Sequence, residues 1–115
     1  MTRQEFIEKV VSRRIDLITI TLASKGKEYS MDENAFHNFD EGKYIAFADS
    51  REKYAWDLMT KHLQSMKDII EHVSIAGANG YPTDAMVEEK IGDAINYLIL
   101  IEAMLKEQIQ NAKTT

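Results

Sequence analysis

The run Glu89-Lys90-Ile91-Gly92-Asp93-Ala94-Ile95-Asn96-Tyr97-Leu98-Ile99-Leu100-Ile101-Glu102-Ala103-Met104-Leu105 decides the fold class of this chain. Wound at about 100° per residue, Ile91, Ala94, Ile95, Leu98, Ile101 and Leu105 form one apolar stripe. Tyr97, Leu100 and Met104 fall on roughly the opposite side. The stretch from Ala94 to Leu105 is therefore apolar nearly all round, which predicts a helix that is central in its domain or shared across a dimer. Three polar residues, Glu89, Asp93 and Asn96, fall together within about 60° of arc, flanked by apolar neighbours rather than by an open polar face.

Working back towards the N-terminus, Thr83 is placed to cap this helix, with Asp84 in its first turn favouring the positive end of the helix dipole. The helix is expected to continue to about Ala112. Ala76-Gly77-Ala78-Asn79-Gly80-Tyr81-Pro82 reads as a loop. Before it, Asp49 or Ser50 caps a helix to about Ser74 with the stripe Met59, Leu63, Met66, Ile70 and Val73. A short helix is expected from Phe39 to Ala48. Lys25 to Asn38 is polar and aromatic without a clean period, and reads as a long loop. The first helix is expected from about Thr2 to Ser24, on the stripe Ile7, Val11, Ile15, Ile18 and Leu22, closed by Lys25-Gly26-Lys27. Its run Leu17-Ile18-Thr19-Ile20-Thr21-Leu22 also alternates as a strand would, but continuity with the preceding pattern favours helix. The expectation is one all-α domain over residues 1–115: a compact bundle of about four helices, a long loop after the first, and the last helix central.

Composition bounds the function. The chain has 115 residues, 44% apolar and 29% charged, which is too apolar for disorder. A chain this short has a thin core, so pairing into a homo-oligomer is expected. The net charge of −5 argues against general nucleic-acid affinity, which needs a basic surface. Without cysteine there is no disulfide framework and no thiolate chemistry. The longest apolar run, Tyr97 to Ile101, is far short of the roughly 20 residues that span a bilayer. Met1-Thr2-Arg3-Gln4-Glu5 does not lead into an apolar signal core. No membrane partner is expected, and the cytoplasm is the expected compartment.

Three places can carry chemistry. The acids Glu89 and Asp93, at i and i+4, can hold a hard cation such as Mg²⁺ or a ligand, or can form an internal hydrogen-bond network that fixes helix register. On the preceding helix, His62 and Ser65 flank the apolar stripe, with Lys61 and Asp68 further round. His62 reads as a partly buried structural residue, a phosphate donor or a proton acceptor. The third place is Lys25-Gly26-Lys27-Glu28-Tyr29-Ser30. Two lysines about a glycine can contact a phosphate, or can simply close a helix whose negative end favours them. Nearby, His37, Asn38 and Phe39 offer two hydrogen-bonding groups and a ring to stack on a base, or pin the loop to the body.

Taken in order, Lys25-Gly26-Lys27-Glu28-Tyr29, His37-Asn38-Phe39, Lys61-His62 with Ser65 and Asp68, and Glu89-Lys90-Ile91-Gly92-Asp93-Ala94-Ile95-Asn96-Tyr97 resemble a family of small helical proteins encoded by bacteriophages and prophages. The resemblance covers about Ser24 to Leu105. More distantly the chain is similar to phage nucleotide-modification-associated domains and to the all-α nucleoside triphosphate pyrophosphohydrolases of the MazG type. The resemblance implies a nucleotide-like ligand held by Lys25, Lys27, Glu28, Tyr29, His37, Asn38, Lys61, His62, Asp93 and Asn96, in the cytoplasm of an infected or lysogenic bacterium. It implies Mg²⁺ at Glu89 and Asp93. The sequence departs from the MazG pattern of a Glu-x-x-Glu pair on one helix and a Glu-x-x-Asp pair on another. Glu89 and Asp93 are one residue further apart, Lys90 stands where the nearer acid belongs, and the preceding helix offers Lys61, His62, Ser65 and the single acid Asp68. Lys25, Lys61 and His62 instead suit direct contact with a phosphorylated ligand. Two functions follow as expectations. One is binding of a nucleotide or nucleotide-like phosphorylated small molecule between helices, by sequestration or hydrolysis. The other is an acidic phage inhibitor that covers a basic face of a host defence protein.

Overall fold

The computed structural model describes residues 1–29, 34–76 and 81–114, with the side chains of residues 25–29 and 76 outside that set. Among the described residues the fold is all-α, without a strand. The chain falls into two compact units, Met1–Asn38 and Phe39–Thr115.

In the first unit α1 (Arg3–Phe6), a π-helical stretch (Ile7–Ser12) and α2 (Arg13–Tyr29) run on as one rod. The Thr2 hydroxyl accepts from the Glu5 N–H at 3.1 Å, satisfying one of the helix's orphan donors. The β-branched run that could have alternated as a strand is helical. Thr19 Oγ1 donates to the Ile15 carbonyl at 3.0 Å and Ser24 Oγ to the Ile20 carbonyl at 3.1 Å, so these hydroxyls bond back onto their own helix. The π stretch, with its i→i+5 bonds, shifts the helical phase. Of the expected stripe, Ile7, Val11 and Ile15 are exposed and only Ile18 and Leu22 are half-buried, beside Leu17 and Thr21.

The rod runs to Tyr29, so Lys25-Gly26-Lys27 does not close the helix as expected. Lysine and glutamate are good helix formers, and one glycine costs only about 1 kcal/mol. The expected long loop thus loses its first five residues to helix. At its other end Asn34 Oδ1 accepts from the Phe36 N–H at 2.9 Å, a tight turn that leads into α3 (His37–Ile45) two residues earlier than expected.

In the second unit α3 is followed by α4 (Arg51–Ala76) and α5 (Asp84–Thr114). Both expected caps are present. Ser50 Oγ accepts from the Lys53 N–H at 3.2 Å and Thr83 Oγ1 from the Met86 N–H at 3.1 Å. Groups early in α4 pair with groups late in α5: Arg51 with Glu107 at 3.5 Å and Glu52 with Gln108 at 2.6 Å. The two helices are therefore antiparallel neighbours. The seam between them is Ala55, Met59, His62, Met66, Ile69 and Val73 on α4, and Val87, Lys90, Ala94, Tyr97, Ile101 and Met104 on α5, all buried or half-buried. Steps of four and three alternate on both, the spacing of knobs-into-holes packing. Met59 and Met104 are fully buried.

This seam corrects the expected phase. Leu63 and Ile70 of the α4 stripe, and Leu98 and Leu105 of the α5 stripe, are exposed. The segment Ala94–Leu105 is not covered on every side.

On one side of the hairpin, α3 lays Phe39 edge-on against Tyr54 and Tyr97, with ring centroids 6.3 Å apart in both pairs. Arg51 Nη1 reaches Asp40 Oδ1 at 3.3 Å, tying α3 to the start of α4. Gly42 lies against the Tyr54 ring: a Cβ there would stand 2.5 Å from Tyr54 Cε2. The helix closes with the Ala48 N–H on the Lys43 carbonyl at 2.8 Å and the Phe47 N–H on the Tyr44 carbonyl at 3.3 Å, the paired bonds of a Schellman motif. That closure needs a left-handed residue, and Phe47 supplies it at φ 54°. A residue with a Cβ pays roughly 1–2 kcal/mol for this conformation.

Two substitutions check this packing. Phe47→Gly should stabilise the protein by roughly 1 kcal/mol, read as a higher denaturation midpoint, because it relieves the backbone without losing burial. Gly42→Ala should destabilise it by about 1–3 kcal/mol, because Tyr54 must move off α3.

Candidate functional site

The polar site is built on the α4–α5 seam, on the side where α3 lies. Tyr54, Asp93 and Asn96 each precede a seam residue by one position, which turns all three towards that side. The α4 side of the seam interrupts its apolar sequence at His62, and the imidazole meets an acid across the helix pair. His62 Nδ1 lies 3.5 Å from Asp93 Oδ2, with both side chains about a quarter exposed. The contact is an ion pair when the imidazole is protonated.

The His62 ring stacks on Tyr97 with centroids 5.4 Å apart and planes 27° apart. Tyr97 in turn stands edge-on to Phe39. A row of four rings, His62–Tyr97–Phe39–Tyr54, thus runs from the polar pair into the core and fixes the imidazole's plane. Asn96, one turn beyond Asp93, adds a feature of another kind. Its Oδ1 is buried and has no hydrogen-bond partner among the described residues. An orphaned buried acceptor costs about 1–3 kcal/mol, and sites that keep one commonly reserve it for a ligand or an ordered water.

Of the residues expected to form a site, His62, Asp93 and Asn96 come together at this seam. Asp93 is half-buried, and the one contact of its carboxylate among the described residues is His62, fewer than the several donors that a fully buried acid would need. Lys61 is exposed on α4 beside His62, and Ser65 Oγ donates to the Lys61 carbonyl at 3.1 Å. Asp68 accepts from Gln64 at 2.8 Å. His37 is half-buried and Asn38 exposed at the start of α3, within the first unit. Phe39 is 2% exposed, so its ring serves the core and cannot stack on a base. The side chains of Lys25, Lys27, Glu28 and Tyr29 lie outside the described residues.

Glu89 is exposed. Among the described residues no group of three His, Asp or Glu side chains is placed to hold a metal ion. Glu89 and Asp93 thus fall short of the four-acid set that the resemblance implies, and the site's chemistry as described is that of His62, Asp93 and Asn96.

Sequence reading missed Tyr97, taken only as apolar cover. Its signal was present: it stands four residues after Asp93 and lies on the seam, where its ring faces both the histidine and α3. Arg51 was also missed. It is half-buried and contacts Asp40, Glu52 and Glu107, but these partners make it a structural clamp at the far end of the hairpin.

No protein-family model, curated protein or solved structure matches the chain. No described helix is long and apolar enough to cross a membrane.

Asn96→Leu separates a ligand-directed residue from a structural one. If Oδ1 is held for a ligand, replacing it by an apolar group of similar size should stabilise the unliganded protein by about 1–3 kcal/mol in thermal or denaturant unfolding. A loss of stability would mean that Asn96 has a structural partner.

Proposed function

We propose that this chain binds a nucleotide or nucleotide-like phosphorylated small molecule at the α4–α5 seam, as a homo-oligomer in the cytoplasm of a phage-infected or lysogenic bacterium. The observation that carries the reading is the buried, unpartnered Asn96 Oδ1 one turn from the His62–Asp93 pair. It asks for an N–H or O–H donor, which a base or a sugar offers. A protonated His62, oriented by Asp93 and by its stack on Tyr97, is a donor to a phosphate oxygen, and Lys61 adds a mobile positive charge from the rim. Sequestration needs only these contacts. Hydrolysis needs in addition a water activated for attack on phosphorus, for which Asp93 is the available base. With two acids rather than four, the residues favour sequestration.

A second reading, inhibition of a host defence protein by an acidic surface, draws on where the charge lies. Residues Phe39–Thr115 hold eight Lys/Arg against thirteen Asp/Glu, a net −5, whereas Met1–Asn38 hold six of each. The whole net charge thus belongs to one unit, which would steer it towards a basic partner.

Mass spectrometry of small molecules released by heating the purified protein, followed by calorimetric titration with each one found and with a nucleotide panel, tests the first reading. Binding is expected, with Asp93→Asn and Asn96→Leu each lowering affinity at least tenfold, about 1.4 kcal/mol, while the protein stays folded. Pyrophosphate release on adding Mg²⁺ would select hydrolysis. No released molecule and no binding across the panel at millimolar concentration would discard the small-molecule reading.

A further inference from the structure

The hairpin has a second heptad seam that it does not use. On α4 Trp56, Leu63 and Ile70 each follow a seam residue by one position, at intervals of seven. On α5 Ile91, Leu98 and Leu105 do the same. Stepping one residue on turns the helix by about 100°, and in an antiparallel pair the same turn on both helices leads to the same side. These six side chains therefore share one face of the hairpin, opposite the face that carries α3, Asp93 and Asn96. Five of them are exposed: Trp56 50%, Leu63 38%, Ile70 64%, Leu98 49% and Leu105 47%, with Ile91 half-buried. Ile109, a further turn along α5, extends the row and is 57% exposed.

We propose that this face docks the same face of a second copy of the chain, forming a four-helix layer pair about a twofold axis. Three observations select that occupant. The face is two helices wide, and its two rows repeat every seven residues, so it calls for a layer of two antiparallel helices with the same repeat. This chain's own hairpin is such a layer, and a twofold axis matches its registers without further design. The bare apolar area is on the order of 500 Å² per copy, towards the upper end of the roughly 300–600 Å² of the largest patch on a typical monomer and enough for the apolar centre of a standard interface of about 800 Å² per partner. Finally, Ala94, Ile101, Met59, Met66 and Val73 belong to both the used seam and the unused one, so the new interface continues an interface already packed. Such double-seam helices are the kind that sit in bundles with neighbours on two sides. Pairing through this face would leave His62, Asp93 and Asn96 on the outward side of each copy.

Sedimentation of the full chain across micromolar concentrations tests the pairing. A species of twice the 13.2 kDa chain mass is expected. Leu98→Ala should weaken association by about tenfold, and Leu98→Asp or Ile70→Asp by at least ~100-fold, since each buries an unpaired carboxylate. Circular dichroism should show helicity retained in the Leu98→Ala variant. Ile75→Asp, at an 88% exposed position off the face, should leave the dimer unchanged. The proposal is overturned if the wild-type chain sediments as a single copy up to about 100 µM, as when another part of the same chain covers the face. It is also overturned if the assembly has any other size, if Leu98→Ala associates as tightly as wild type, or if Ile75→Asp dissociates the dimer.

Discussion

Everything positioned in the second unit depends on α4 and α5 packing antiparallel along a seam with steps of three and four. That packing buries Ala55, Met59, Ala94 and Met104 and brings the two helices' partners into register from Arg51–Glu107 at one end to His62–Asp93 further along. Small alanines at the seam let the helices approach, and the two methionines fill the irregular gaps that remain. Apolar burial at roughly 25 cal/mol per Å² is the only term large enough to hold so small an array together. The surface ion pairs on its flanks, such as Lys53–Asp49 and Lys106–Glu102, add a few tenths of a kcal/mol at most.

The same seam explains why the polar site sits where it does. The seam is apolar except at His62 on α4 and Lys90 on α5, and His62 finds its acid in Asp93, which stands beside the α5 seam. Tyr97 then has two duties. It packs Phe39 of α3 on its edge and His62 on its face, so the position of α3 and the orientation of the imidazole are mechanically linked. Asn96 stands outside this economy. Among the described residues its Oδ1 is the one buried side-chain polar atom without a hydrogen-bond partner.

α3 shows how a short helix is fixed by its ends as much as by its face. Nine residues form a marginal helix alone. Here Asn34 sets the turn before it, the Phe47 Schellman closure ends it, and Phe39, Asp40 and Gly42 attach it to Tyr97, Arg51 and Tyr54. The left-handed Phe47, 95% exposed, is strain that the burial of Phe39 offsets.

The sequence by itself determined the all-α class, the cap at Thr83, a cap at Asp49 or Ser50, and the approximate span of each helix, because these follow from local periodicity and side-chain–backbone competition. It also determined that Glu89, Asp93 and Asn96 share an arc and that Asp93 would need a partner. Only the tertiary structure decided the phase. Both long helices carry two overlapping heptad seams one residue apart, and periodicity weighs them equally. Met59, Met66, Ala94 and Ile101 belong to both, so the choice falls to the neighbours: the seam with His62 and Tyr97 packs inward, and the more apolar one with Leu63 and Leu98 is left bare. A count of hydrophobic residues favours the opposite choice. The physical reason is that a helix face is selected by what the partner helix and α3 can cover together, and the His62–Asp93 contact and the ring row through Phe39 exist in only one of the two phases.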